Sequence, residues 1–309
     1  VAVYHSNSDI RIEEIPKPEI GPDEFLLKVM ASGICGTDVV EWYRLPKAPR
    51  VLGHEATGSI EETGKNVTKY KTGDRVFVSH HVPCNQCCYC NKGSHTACET
   101  LHTTNYYPGG FSQYIRVPKS NIETGVYKLP TNMSYEEGTF IEPLACAVRG
   151  QRLAEINECD TVLIIGSGMA GILHIQIAKM KGIKKIFAAD INSSRLELAK
   201  KFGADHVLDA NNDLLLQLKE LNDGRGVDKV ILCTGATKAA LTSLDCVDRG
   251  GTILFFAVPD PTVKIPIPIT QFWRNETTIK TSYGAAPRDL EEALQVLAEK
   301  QVNVKDMIT

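Results

Sequence analysis

Two textures of apolar and polar positions divide the chain. Up to about residue 140 the apolar residues come in short runs bounded by turn signals. Glu24-Phe25-Leu26-Leu27-Lys28-Val29 and Asp74-Arg75-Val76-Phe77-Val78 read as strands, and Gly21-Pro22-Asp23 and Thr72-Gly73-Asp74 as turns. From about residue 161 near-continuous apolar runs alternate with helix-period segments. The runs are Thr161 to Ile165, Lys185 to Asp190, His206 to Leu208, Val230 to Leu232 and Thr252 to Phe256. Apolar strands separated by helices predict a parallel sheet covered on both faces. A sixth strand is expected at 278–283 and an amphipathic helix at 288–300. Val263 to Ile269 carries two prolines that cannot donate to a ladder, so it belongs at an edge or an interface. No internal repeat or low-complexity segment interrupts the pattern.

The length, 309 residues, suits two domains of about 150 residues each. With 34 basic and 37 acidic side chains, no basic excess exists to track a nucleic-acid backbone. No run approaches the roughly 18 apolar residues of a membrane helix. The start, Val1-Ala2-Val3-Tyr4-His5-Ser6, lacks an initiating Met and shows no export signal. Of ten cysteines, Cys84, Cys87, Cys88, Cys90 and Cys98 fall within fifteen residues, a clustering that points to metal binding in a reducing, cytoplasmic setting. Cys146, Cys159, Cys233 and Cys246 read as small buried hydrophobes.

Gly166-Ser167-Gly168-Met169-Ala170-Gly171 matches G-x-G-x-x-G, a weak pattern alone. Here it follows a strand, opens a helix and is followed by Asp190 at the end of the next strand, the context a dinucleotide site requires. Gly166 permits the turn, Gly168 lets backbone approach the pyrophosphate, and Gly171 lets the helix pack closely. Asp190 is expected to accept from the adenosine ribose and to favour NAD over NADP, although Arg195 offers a guanidinium for a 2′-phosphate. Val258 and Tyr283, near the ends of the fifth and sixth strands, are counted with the cofactor-binding residues. His174, inside the first helix of this unit, is expected to carry no chemistry.

Cys84, Cys87, Cys90 and Cys98 have the spacing C-x2-C-x2-C-x7-C. Four thiolates close a tetrahedron around zinc and leave no open position, so the site is structural. An iron–sulfur cluster uses similar ligands; the surplus Cys88, adjacent to Cys87, should point elsewhere, and His95 competes as a ligand. A second constellation lies in Gly33-Ile34-Cys35-Gly36-Thr37-Asp38 and Gly53-His54-Glu55-Ala56-Thr57-Gly58. A Cys, a His and a carboxylate distant in sequence can converge as three ligands and keep a fourth position open. Spacing alone does not establish this. The tandem His80-His81 lines a pocket or, more simply, ends a strand.

Together with Gly73-Asp74-Arg75-Val76, Ile141-Glu142-Pro143-Leu144 and the fingerprint, these stretches resemble the zinc-dependent medium-chain dehydrogenases, in the family's order and over nearly the whole chain. The nearest resemblance is to the sorbitol and threonine dehydrogenase branch, since Glu follows His54 and Glu142 stands where alcohol dehydrogenases carry a cysteine. It implies a GroES-like β-rich catalytic domain at 1–142, a Rossmann doubly wound sheet of order 3-2-1-4-5-6 at 143–284, and a return to the first domain at 285–309. A further strand and helix would follow Thr309. Cys35, His54 and Glu55 would bind a catalytic zinc, with Glu142 as fourth ligand or neighbour. Thr37 would begin a proton relay, and Asp38 would orient His54, its plainer role being a turn-stabilising Asp.

The implied activity is reversible hydride transfer between NAD and a secondary alcohol, a polyol, cyclitol or sugar derivative, in a homodimer or homotetramer. Rival readings are a threonine-type 3-hydroxy-acid dehydrogenase, a non-catalytic NAD-binding relative and a redox-sensing thiol protein. Two departures are visible. Val40 stands where the family often has a relay histidine, leaving water, a ribose hydroxyl or Glu41 to pass the proton. Tyr283-Gly284-Ala285 stands where sorbitol-type enzymes place an Arg-Tyr pair.

Overall fold

A computed structural model describes residues 1–308 as two units. The first comprises 1–145 and 284–299; the second comprises 146–283 and 300–307.

In the first unit, β1 (Ala2–Ser6), β2 (Asp9–Ile12) and β4 (Arg50–Val51) form a small sheet. Its main sheet is antiparallel, in the order β7 (Tyr114–Val117), β3 (Phe25–Gly33), β5 (Glu55–Thr63), β6 (Arg75–Ser79), β8 (Val126–Lys128). Phe25, Leu27, Ala56, Ile60, Val76, Val78, Ile115 and Val117 form one buried cluster. In β3, β6 and β7 these positions are two apart, the period of a pleated strand, and between them lie residues of the other face. Antiparallel pairing sets Gly33 opposite Glu55, and Glu55 opposite Ser79. The end of β3, the start of β5 and the end of β6 therefore meet at one end of the sheet's central strands, where the candidate ligands lie. Short helices at Lys119–Thr124 and Tyr135–Thr139 were not foreseen. At one or two turns they carry no readable period.

The second unit carries six parallel strands in the order β11 (His206–Asp209), β10 (Lys185–Asp190), β9 (Thr161–Ile165), β12 (Val227–Leu232), β13 (Val247–Phe255), β14 (Thr278–Thr281). This is the expected 3-2-1-4-5-6. All five residues of β9 are buried. Val162 and Ile164 join a cluster with Ile175, Ala188 and Leu254; Leu163 and Ile165 join another with Phe187, Leu208 and Ile253. Each face of the sheet thus has its own core, which explains a run with no polar alternation. The sixth strand stops at Thr281 rather than Tyr283. The proline-rich stretch 261–268 joins no strand, and the helix Ile269–Asn275 begins beyond it. The amphipathic helix runs Pro287–Ala298.

The sequence reading returned all of 285–309 to the first domain. Residues 300–307 instead pack with the second unit, where Gln176 accepts from the Asn303 N–H at 2.7 Å and Met307 joins a core cluster. Cys159 is exposed rather than buried, because it lies on a turn between Leu153 and Thr161 where its N–H donates to Asn157 Oδ1.

Candidate active site

Cys35 lies two residues beyond β3, His54 immediately precedes β5, and Glu55 opens it. A sulfur, an imidazole nitrogen and a carboxylate oxygen from these three converge, all within 4.8 Å of one another. The 3-10 turn Gly36–Val39 holds the first ligand. Thr37 donates to Cys35 Sγ from its N–H at 3.4 Å and from its hydroxyl at 3.3 Å, while Asp38 Oδ2 accepts from the Cys35 N–H at 3.2 Å. Asp38 Oδ1 lies 3.5 Å from His54 Nδ1, which leaves Nε2 for another partner. Glu142, in the first turn of the helix Ile141–Leu153, is buried beside this group, and its charge acts on His54, Glu55 and Tyr106. It is not among the three converging ligand groups.

The electrostatics of the cluster call for a cation. Burial, and then the neighbouring Glu142, push the Glu55 carboxyl up to about 8, and its Oε1 is buried with no hydrogen-bond partner. Burial acts to lower the His54 imidazole, yet hydrogen bonds with Asp38 and Cys35 hold it well above its usual range. A divalent ion among one thiolate, one imidazole and one carboxylate would satisfy both demands, and the donor set suits zinc with an open position.

Sequence reasoning missed two residues here and half-resolved a third. Arg44 contacts both Thr37 and Asp38 through its guanidinium. Tyr106 is buried, held well above the usual phenol range by burial and by Glu142, and its hydroxyl faces the Gly53 carbonyl at 3.5 Å. Neither carried a motif. His80 does follow β6 directly, and its ring also stands 4.8 Å from that of His54. Glu41, considered for the proton path, is exposed on the helix Glu41–Arg44.

The sulfurs of Cys84, Cys87, Cys90 and Cys98 form the second converging group. Cys84 and Cys98 are 3.6 Å apart, as are Cys87 and Cys90. Burial raises the Cys98 thiol, but N–H donation from Cys84 and Leu101 overcomes it and holds the group at about 6. Burial and the adjacent Cys87 push Cys90 up to about 12. Such thiols share protons unless a metal replaces them, and four sulfurs fit a closed zinc site. Cys88 is exposed and stands apart, and His95 is not one of the group.

In the second unit Gly166 has φ +98°, and a Cβ on Gly171 would collide with the Gly166 carbonyl. Gly168 precedes the helix Met169–Met180 and has open space where a Cβ would stand, with Met169 and Ala170 half-buried in the first turn after it. Unpaired N–H groups there suit a pyrophosphate. Asp190 is buried and accepts from the Ser167 N–H at 2.8 Å and the Asn192 N–H at 2.9 Å, while Arg195 lies 3.8 Å away. Its carboxylate thereby braces the glycine turn against β10, a role additional to the one expected from sequence. Val258 and Tyr283 are half-exposed beyond the carboxyl ends of β13 and β14, the side of a parallel sheet where ligands bind. His174 is wholly buried, with Gln151 donating to its carbonyl at 2.8 Å and Phe256 edge-on at 4.5 Å.

Family models for an alcohol dehydrogenase GroES-like domain and a zinc-binding dehydrogenase match residues 21–131 and 170–299. The chain is 36% identical over 317 residues to the Aspergillus clavatus protein named "Probable D-xylulose reductase A", covering 97% of this chain and 86% of that one. It is 32% identical over 317 residues to sorbitol dehydrogenase of Bacillus subtilis, covering 100% and 88%. Among solved structures, galactitol-1-phosphate dehydrogenase from Escherichia coli superposes with a TM-score of 0.86 at 28% identity, covering 100% of this chain and 91% of that one.

Proposed function

Because the chain belongs to the zinc-dependent medium-chain dehydrogenases, we propose that it oxidises a secondary hydroxyl of a polyol or sugar derivative reversibly, with NAD as hydride acceptor. The observation that carries this reading is the convergence of Cys35, His54 and Glu55 on a point where Glu55 holds a buried, unpartnered oxygen. These three would hold a catalytic zinc with Glu142 as neighbour, Cys84, Cys87, Cys90 and Cys98 a structural one, and Gly166, Gly168, Met169, Ala170, Gly171, Asp190, Arg195, Val258 and Tyr283 the nucleotide. When bound, zinc supplies Lewis acidity toward the substrate oxygen, and NAD takes the hydride.

The protein's own groups bind, orient and carry the proton. Asp38 fixes the His54 ring through Nδ1, as ligand histidines generally require. Thr37 is exposed, and its hydroxyl sits beside the Cys35 sulfur, so it can receive the alcohol proton and hand it to water. That route uses neither a residue at Val40 nor Glu41. Asp190 favours the unphosphorylated ribose of NAD, since a 2′-phosphate would meet its charge. A homodimer or homotetramer is the assembly proposed on family grounds.

The test is NADH absorbance with zinc-loaded protein on polyols, inositols, sugar alcohols, threonine and simple alcohols, each with NAD or NADP and with a chelated control. Turnover of a polyol with NAD, lost on chelation, is expected. Turnover confined to threonine would move the substrate to the 3-hydroxy-acid class. Nucleotide binding without any turnover would overturn the catalytic reading.

A further inference from the structure

Arg44 donates from Nε to the Thr37 carbonyl at 2.8 Å, and from Nη2 to Thr37 Oγ1 at 2.9 Å and to Asp38 Oδ1 at 3.0 Å. Its side chain is 11% exposed and that of Asp38 is 3% exposed. The two residues it grips both touch proposed ligands: Thr37 at Cys35, and Asp38 at both Cys35 and His54. We infer that Arg44 is the positioning residue of this site, its guanidinium fork setting the Thr37 hydroxyl and, through Asp38, the His54 ring. The inference rests on the dehydrogenase reading above.

Hydrogen-bond polarity gives the fork a directional consequence. A guanidinium has donors only and keeps its proton at every relevant pH. Thr37 Oγ1 must therefore accept from Arg44, and its single proton points the other way, where it now meets Cys35 Sγ at 3.3 Å. Arg44 cannot take the proton onward, so it ties up one lone pair of the hydroxyl, leaves the other to accept the alcohol proton, and leaves solvent as the exit once the hydroxyl's own proton turns from Cys35 to water. The charge also partners a carboxylate that burial would otherwise leave with His54 as its only counter-charge. Lysine would not substitute, because one ammonium cannot span the Thr37 carbonyl, the Thr37 hydroxyl and Asp38 together. Tyr43, whose ring centre lies 4.8 Å from the guanidinium carbon, offers the competing explanation that Arg44 serves packing.

The experiment compares full-length, zinc-loaded wild type with Arg44→Lys, Arg44→Met and Tyr43→Leu. It reads kcat and KM on the best alcohol of the panel, NADH affinity, thermal midpoint, and the rate at which a chromophoric chelator removes each zinc. Both Arg44 variants should lose kcat about 10- to 100-fold and release the zinc at Cys35, His54 and Glu55 faster by a similar factor, with NADH affinity unchanged. Tyr43→Leu should stay near wild type in both. Recovery by Arg44→Lys would reduce the role to charge and overturn the fork. Equal losses in Tyr43→Leu, or unchanged kcat and zinc release in the Arg44 variants, would overturn it as well. If Arg44→Met does not fold, Arg44→Lys and Tyr43→Leu still decide. A wild type silent on every alcohol defeats the dehydrogenase reading, whereas the zinc-release rates continue to judge Arg44.

Discussion

At Gly33 the backbone of β3 passes directly against the Glu55 side chain, and a Cβ there would overlap Oε2. Cross-strand pairing places the two residues opposite each other, so a glycine makes room for a carboxylate. Gly33→Ala should displace that carboxylate, leave catalytic zinc substoichiometric by metal analysis and lower kcat about 10- to 100-fold. His174 gives the molecule a pH dependence unrelated to the site. Burial holds its imidazole down at about 3 in the native state, against roughly 6.5 when unfolded. Only the unfolded chain binds that proton between these values, so the stability is full above pH 6.5 and declines as pH falls toward 3. Urea unfolding at pH 7.5 and pH 5 should show His174→Leu narrowing the loss by about 2 kcal/mol. A gap as wide as in wild type would exclude His174 as its source. Cys35, His54 and Glu55 were candidates in sequence through the family resemblance, since their residue types suit a metal but their spacing alone did not single them out. Arg44, Tyr106 and Gly33's role were not, because an Arg on a short helix, a Tyr in a loop and a Gly in a strand look alike wherever they fall.

Among elements, runs such as β9, β10 and β12 were readable because a strand covered on both faces tolerates no polar alternation, while the order of the six strands came with the family resemblance. The antiparallel unit was read less completely. Its helices of five or six residues are fixed by local hydrogen bonds, such as the reciprocal Ser134–Glu137 cap, rather than by a periodic face. The cysteine lobe is an extreme case. Its buried cluster holds Leu101 with Cys84, Cys87, Cys90 and Cys98, so little apolar surface stabilises it without an ion. Cys98→Ser should lower metal content from about two to about one zinc per chain, and expose the lobe to limited proteolysis around residues 84–103. Full zinc content and unchanged cleavage would show that the lobe folds without four thiolates.

For the whole molecule, each unit has its own buried clusters, and the two proposed kinds of ligand fall in different units. Calorimetry should resolve two thermal transitions. Chelation should lower one, and NADH at about a hundred times its Kd should raise the other by the equivalent of about 2.7 kcal/mol. One transition moved by both treatments would refute separate units. No helix among the described residues is long and apolar enough to cross a membrane. Sequence by itself determined the parallel sheet, the glycine turn, the tetracysteine group and the residue types at the proposed catalytic site. Those features are written in periodicity, in short spacings or in side-chain chemistry, all of which survive in one dimension. Tertiary structure alone decided that Asp190 braces the glycine turn, that residues 300–307 pack with the second unit, and that Arg44 spans Thr37 and Asp38. Each depends on where an atom lies in space, and antiparallel register, helix packing and side-chain reach set that position only once the chain has folded.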